Sequence, residues 1–176
     1  HHLAVIGAGA QGRSHLAAMM EVRDIQKVTV YDQRKEAAKK YQKEMEEKYR
    51  IPVMVCDSVE EAVKGAEIIC TVTPSKEPYL KAEWIIPGAH INAVGAFTPN
   101  TREIESSLMA KAKLYADQVE AMKKECGEYL IPKNEGLFGE EHITGSIGGI
   151  LAGQVPGREN DTEITLFDAL GLAVED

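Results

Sequence analysis

The chain of 176 residues is poor in cysteine, in aromatic side chains and in positive charge. Its three cysteines, Cys56, Cys70 and Cys126, are an odd number without a CxxC pair, which disfavours a disulfide framework and a cysteine metal site. Two of them stand in apolar, strand-like runs. We therefore expect buried free thiols and a reducing, cytoplasmic environment.

The scarcity of positive charge excludes the chemistry of nucleic-acid binding. Twenty Lys and Arg residues face 28 Asp and Glu residues, and the formal net charge is −8. Binding to nucleic-acid phosphates needs clustered Lys and Arg instead. No apolar run approaches the roughly 18 residues of a membrane span, and no signal peptide is evident. The five histidines have no paired spacing, so no metal site is expected.

Apolar runs of strand length alternate with helical patterns along most of the chain. This alternation predicts a doubly wound, mainly parallel α/β sheet of the Rossmann type in three layers, as one domain over residues 1–176. The glycine-rich GSIGG (145–149) is expected to be a loop or a helix start, because no apolar strand precedes it. The predicted strands cover 3–7, 27–32, 53–56, 67–73, 90–95, 113–117 and 163–170.

The stretch GAGAQG, residues 7–12, follows the first apolar run and leads into a helical pattern. Gly7 permits a sharp turn, Gly9 leaves room for a pyrophosphate, and Gly12 lets the helix pack on its strand. Ala10 and Gln11 then present backbone N–H groups at a helix N-terminus, where an anion is favoured. The alternative is an ordinary strand-to-helix turn without a ligand.

An acid at the end of the second strand favours the dinucleotide. Asp32 closes KVTVYD, and 32 − 12 gives 20 positions after Gly12, the spacing of a ribose-binding carboxylate. A carboxylate there favours NAD over NADP, because it repels a 2′-phosphate. Gln33 and Arg34 follow it and are included in the candidate site. Arg34 leaves NADP open, since a guanidinium can pair with that phosphate; it can equally be a solvated residue at a helix start.

Three longer segments resemble the ornithine cyclodeaminase/mu-crystallin family. They are VIGAGAQGRSHL, INAVGAFTPNTREIE and LAGQVPGRENDTEITLFDALGLAVED. The resemblance covers only the nucleotide-binding half of such proteins. It implies that an N-terminal substrate and dimerisation domain and a C-terminal end lie outside this sequence, and that the full-length protein is a homodimer.

The resemblance also implies a nicotinamide cofactor acting on a small amino or imino acid, as in alanine dehydrogenases and ketimine reductases. Ornithine cyclodeaminase activity and a non-enzymatic, mu-crystallin-like binding role are the alternatives. The implied cofactor contacts add Thr71 and Thr73 after the fourth strand, and Val94, Gly95 and Ala96 on the nicotinamide side. No catalytic residue is assigned, because the resemblance places the substrate-binding Lys and Arg in the N-terminal domain.

Two positions depart from the cyclodeaminase pattern. Phe97 stands where those enzymes carry a proton-transferring acid, and Ala169 stands where they carry a serine. Phenylalanine cannot move a proton, which favours simple hydride transfer.

A few other side chains have competing interpretations. Asp117 and Gln118 either line the site or begin a helix, and Asp168 either faces the nicotinamide pocket or caps a final helix. Trp84 is expected to pack in the interior.

Overall fold

The computed structural model describes residues 1–171. The strands are β1 (His2–Ile6), β2 (Lys27–Tyr31), β3 (Val53–Val55), β4 (Ile68–Thr71), β5 (His90–Ala93), β6 (Lys113–Ala116), β7 (Ile143–Ser146) and β8 (Thr165–Asp168). They form one sheet in the order β3-β2-β1-β4-β5-β8-β6-β7, and every pairing is parallel. The predicted parallel α/β sheet is therefore confirmed.

Helices cover both faces of this sheet. They are α1 (Ala10–Val22), α2 (Lys35–Tyr49), α3 (Val59–Val63), α4 (Ser106–Lys111), α5 (Val119–Glu125), α6 (Gly127–Asn134) and α7 (Ile147–Leu151), with short 3₁₀ turns at Ala82–Trp84 and Glu140–His142. One apolar cluster joins α1 and α2 to β1 and β2, and a second joins α3 to α6 to the opposite face. These are the three expected layers, and Trp84 packs against the second cluster.

The central strands are buried on both sides, as their continuous apolar sequences predict. Leu3, Ala4 and Val5 of β1 are completely buried, and they alternate between the two apolar clusters. The chain runs from β1 to one side through β2 and β3, and then to the other side through β4 and β5. The carboxyl ends of β1 and β4 therefore flank the point where the direction of winding changes, which is where ligands bind in such sheets.

The strand β7 is an element that the sequence analysis did not predict. It pairs with β6 and includes the first two residues of GSIGG, and α7 then begins at Ile147, which confirms the expected helix start. The strand was missed because Ile143–Ser146 is half-buried at the sheet edge and carries Thr144 and Gly145 instead of an apolar run. The Ser146 hydroxyl then accepts the Gly149 N–H and caps α7.

Two further expectations concern the chemistry of the interior and the end of the chain. Cys56, Cys70 and Cys126 are free and buried, as expected. The predicted strand over 163–170 is shorter, and the helix predicted at the chain end lies outside the described residues. None of the helices within residues 1–171 combines the length and the apolar character of a membrane span.

Candidate functional site

Two glycines of the GAGAQG stretch are required by the protein itself. Gly7 has a φ of 111°, in the left-handed region, and a Cβ atom there would lie 2.7 Å from the carbonyl oxygen of Val72. A Cβ atom on Gly12 would lie 2.2 Å from the carbonyl oxygen of Gly7. The first glycine thus allows the turn and the second brings α1 close to β1, as the sequence predicts.

Gly9 differs from both of them. It precedes α1 with a φ of −85°, which any residue adopts, and a Cβ atom there would meet nothing within 4 Å. Neither packing nor backbone conformation explains a glycine at this position. The bare backbone faces open space at the positive end of a 13-residue helix.

The first turn of α1 supplies donors to that space. N–H groups in the first turn of a helix have no partner within the helix. Ala10 and Gln11 occupy this turn and are exposed, while the first N–H that bonds back to Gly9 is that of Arg13. This arrangement suits an anion such as a phosphate.

Asp32 lies directly after β2 and holds the glycine turn. Its Oδ2 accepts the Ala8 N–H at 2.9 Å, and its Oδ1 accepts the Arg34 N–H at 2.8 Å. The Arg34 Nε atom lies 3.6 Å from Oδ1, but that side chain is 79% exposed whereas Asp32 is only 12% exposed. The carboxylate is therefore fixed mainly by backbone donors, and it lies beside the glycine turn, as its spacing from Gly12 predicts.

A groove of about 510 Å³ runs along this edge of the sheet from Asp32 to Tyr79. Six predicted cofactor residues line it: Gly7, Gly9, Asp32, Gln33, Arg34 and Thr73. The groove also contains Val72, Pro74 and Ser75 from the loop after β4. It is long and partly apolar, and it lies at the change of winding between β1 and β4.

The remaining predicted cofactor residues lie around this groove. Thr71 is fully buried and its hydroxyl has no partner within the described residues, so it does not face the groove. Val94, Gly95 and Ala96 follow β5, on the next strand end along the sheet. The roles of these residues in cofactor binding stay predictions.

A buried glutamate joins the two loops at the far end of the groove. Glu103 is completely buried, and its Oε1 accepts the Thr73 N–H and Oγ1–H, both at 2.7 Å, and the Tyr79 hydroxyl at 2.6 Å. Its Oε2 accepts the Gly95 N–H at 3.0 Å. Sequence analysis missed Glu103 because it stands in the polar stretch NTREIE, where no local pattern marks a buried side chain.

A second buried glutamate holds the first. Glu128 of α6 is 1% exposed and accepts the backbone N–H groups of Glu103 and Ile104. Burial raises the pKa of Glu128, and the nearby Asp168 is the second cause of this increase. No local pattern in the sequence indicates the role of Glu128 either, because its partners lie 24 and 25 positions away.

Asp117 directly precedes Gln118 at the start of α5, and the final helix that Asp168 was expected to cap lies outside the described residues. Asp168 is buried; its Oδ2 accepts the Cys126 thiol at 3.4 Å, while its Oδ1 has no partner within residues 1–171. Burial raises the pKa of Asp168 to about 8. Asp117 accepts the Leu170 and Gly171 N–H groups and the Gln118 N–H, so it anchors the chain after β8.

His90 and His142, two of the five histidines, make local contacts. His90 bonds to the Thr165 hydroxyl and to Asn92, and His142 bonds to the Met109 carbonyl. Within residues 1–171, no group of three or more His, Cys, Asp or Glu side chains could hold a metal ion. Phe97 is 64% exposed in the loop after β5, so an apolar ring stands at the ligand-binding edge.

Comparison with known proteins identifies relatives of one family. The sequence model of the ornithine cyclodeaminase/mu-crystallin family matches residues 1–176. The structure of Thermococcus litoralis Delta(1)-pyrroline-2-carboxylate reductase in complex with NADH and L-proline is 41% identical, with a TM-score of 0.96 over 99% of this chain and 54% of that one. An archaeal alanine dehydrogenase dimer with bound NAD is 39% identical, with a TM-score of 0.92 over 99% and 53%.

A curated relative extends the range of activities. Ketimine reductase mu-crystallin of Mus musculus is 40% identical over 174 residues, which are 99% of this chain and 51% of the relative. The chain thus spans about half the length of the relatives that it matches.

Proposed function

Because this chain belongs to the ornithine cyclodeaminase/mu-crystallin family, we propose that it is the dinucleotide-binding part of an enzyme that transfers a hydride between NAD(H) and a small amino or imino acid. The relatives named above reduce pyrroline-2-carboxylate or ketimines, or dehydrogenate alanine, as their names state. All three names describe the interconversion of an amine with an imine or ketone. The substrate of this protein is proposed from the same chemical class.

The observation that carries the proposal is the contrast among the three glycines. Gly7 and Gly12 are explained by contacts within the chain, and Gly9 is not. A pyrophosphate over the turn explains it, because a side chain there would occupy the space in front of the α1 N-terminus. The groove residues therefore fit a dinucleotide.

The order of strand ends supports one direction of the cofactor along the groove. Asp32, after β2, would accept hydrogen bonds from the adenosine ribose, and Ala10 and Gln11, after β1, would bind the pyrophosphate. The second nucleoside then extends beyond β4 toward β5, past Thr73 to Val94, Gly95 and Ala96. When bound there, the nicotinamide supplies or accepts the hydride.

Hydride transfer without cyclisation is favoured by Phe97. An exposed ring at this loop can shield a substrate from water, but it cannot accept or donate the proton that cyclodeaminases require there. The structural neighbours named as ornithine or lysine cyclodeaminases are 22–23% identical, and they support only the shared fold.

NADP is the second candidate cofactor, and a specific feature favours it. A smaller depression of about 420 Å³ beside Ala10 is lined by Arg13, Arg34 and Lys40, together with Glu44. Its guanidinium and ammonium groups could pair with a 2′-phosphate. Glu44 already pairs with Arg13 at 2.6 Å and with Lys40 at 3.8 Å, so part of this positive charge is neutralised, which keeps NAD first.

The full-length protein is proposed to work as a cytoplasmic homodimer. The dimeric form of the alanine dehydrogenase relative supports the assembly. Three free, buried thiols are compatible with a reducing compartment. Turnover of an imino acid by the full-length protein would distinguish an enzyme from a mu-crystallin-like binding role.

Replacement of Gly9 by alanine tests the cofactor site directly. The Gly9→Ala variant is expected to fold with a loss of less than about 1 kcal/mol, because the added methyl meets no atom. Its affinity for NADH is expected to fall by at least about tenfold, because the methyl occupies the pyrophosphate space. Titration of NADH fluorescence, with thermal unfolding in parallel, measures both effects.

Gly157→Ala is the matched control. A Cβ atom at Gly157 would meet only Ile150 Cγ2 at 3.7 Å, an ordinary contact, and Gly157 does not line the groove. This variant should retain the stability and the NADH affinity of the original chain. Unchanged NADH binding by Gly9→Ala, or no binding of NADH and NADPH by the original chain, would contradict the proposal.

A further inference from the structure

The carboxylate of Glu103 connects the far end of the groove to the neighbouring loop after β5, two segments that are separate in the chain. Thr73 and Tyr79 belong to the segment after β4, and Gly95 belongs to the loop after β5. One side chain accepts four hydrogen bonds from these three residues, at distances of 2.6–3.0 Å. A carboxylate has room for about four such donors, so its accepting capacity is used fully.

This arrangement requires a side chain that only accepts hydrogen bonds, because all four partner groups donate. Burial, together with the Glu103 carboxylate, raises the pKa of Tyr79, so that its phenol remains a donor. Burying a carboxylate is unfavourable unless hydrogen bonds compensate the loss of water. Glu103 is completely buried and fully compensated, so its geometry is fixed.

The two loops that it joins are also in direct contact. A Cβ atom on Gly95 would lie 2.2 Å from the Thr73 carbonyl oxygen and 2.7 Å from the Glu103 carboxyl carbon. The loop after β5 therefore approaches the loop after β4 without an intervening side chain. The Glu128 side chain of α6 accepts the backbone N–H groups of Glu103 and Ile104, so α6 holds the backbone that carries the Glu103 carboxylate.

We propose that Glu103 is a positioning residue for the nicotinamide half of the cofactor. This inference rests on the proposed function, which places the adenosine at Asp32 and the second nucleoside between the ends of β4 and β5. Glu103 sets the distance between those two ends. Within residues 1–171 its carboxylate makes no hydrogen bond to Asp32, to Gly9 or to the first turn of α1, where the proposed function puts the adenosine and the phosphates.

Selective loss of affinity is the consequence. ADP-ribose contains the adenosine, the pyrophosphate and one further ribose but lacks the nicotinamide ring. A change at Glu103 should therefore weaken NADH binding more than ADP-ribose binding. Damage to the whole domain would weaken both ligands to the same degree.

The experiment measures the Kd of NADH and of ADP-ribose for this chain and for its Glu103→Gln variant. Glutamine keeps the volume, but its NH₂ group cannot accept the N–H or O–H groups on that side. We expect the Kd of NADH to rise by about tenfold and that of ADP-ribose to change by less than about twofold, since a hydrogen bond to a charged group is lost. Equal changes for both ligands, or no change for either, would overturn the proposal.

Glu105→Gln is the control, because Glu105 lies two positions further along and makes no side-chain cap to α4. Both Kd values should stay as they are in the original chain. If Glu103→Gln does not fold, Tyr79→Phe removes one of the four donors and should raise the Kd of NADH alone by about threefold. Equal effects on both ligands, or none, again overturn the inference. Failure of the original chain to bind either ligand would instead refute the proposed function.

Discussion

Asp32 and Asp168 both stand where a parallel strand ends at the same edge of the sheet, yet their surroundings are opposite. Asp32 lies in the groove and accepts two backbone N–H groups. Asp168 points into the interior, where a thiol is its donor and one oxygen has no partner within the described residues. Position at a strand end therefore determines neither the direction nor the chemistry of a carboxyl group; the face of the sheet and the available donors do.

The largest expected effect is on the pH dependence of stability at Asp168. Its pKa in the folded protein is about 8, against an ordinary value of 3.8, so the folded state retains a proton that the unfolded state has lost. Asp168 therefore imposes no penalty on the free energy of unfolding below pH 4, and that free energy falls as the pH rises toward 8. Asp168→Asn removes this pH-dependent loss of stability, which has an upper bound on the order of 5 kcal/mol at pH 8.

Urea unfolding of both proteins at pH 5 and pH 8 measures this difference. The variant should gain stability relative to the original chain as the pH rises. Asp32→Asn is the comparison and should be destabilised at pH 8 by about 1–2 kcal/mol, because the amide NH₂ cannot accept a backbone N–H. If Asp168→Asn raised the free energy of unfolding equally at the two pH values, the proposed difference in ionisation between the two aspartates would be wrong.

A smaller effect is expected on cofactor choice at Asp32. Replacement of Asp32 by alanine removes the proposed acceptor for the ribose hydroxyls and the proposed repulsion of a 2′-phosphate. The affinity for NADH should fall by about tenfold and that for NADPH by much less. Calorimetric titration with both cofactors provides the measurement. Equal losses would mean that Asp32 does not distinguish them and only holds the turn through Ala8.

The smallest effect is expected at the arginine beside Asp32. Arg34→Ala leaves its backbone N–H in place, and the side chain is 79% exposed at 3.6 Å from the carboxylate. Exposed ion pairs of this kind contribute little, so thermal unfolding should detect a change below about 0.5 kcal/mol. A loss well above that value would show that the guanidinium, and not the backbone, fixes Asp32.

The sequence contained the parts of the site that depend on neighbouring residues. Gly7 and Gly12 act through a turn of a few residues, and Asp32 follows from its spacing along one strand–helix–strand unit. These are local relationships, so a pattern in the chain reveals them. The parallel sheet followed from the same kind of reasoning, through the alternation of strands and helices.

The unpredicted parts depend on contacts between distant segments. Glu103 meets Thr73 across 30 positions, and Glu128 meets the Glu103 N–H across 25. A glutamate in a polar stretch carries no local sign that it will be buried. β7 was missed for a related reason: it is held at the sheet edge by β6, and its own residues are only half-buried.

The position of β8 between β5 and β6 also has a consequence for the order of folding. β6 and β7 precede β8 in the chain, but β6 pairs with β8 and β7, so these two strands join the rest of the sheet through β8. As the chain leaves the ribosome, β1 to β5 can assemble first, and Asp32 with them. The other half of the sheet has to wait for β8. The end of the groove that contains Asp32 can therefore be complete while the opposite half of the sheet is still unassembled.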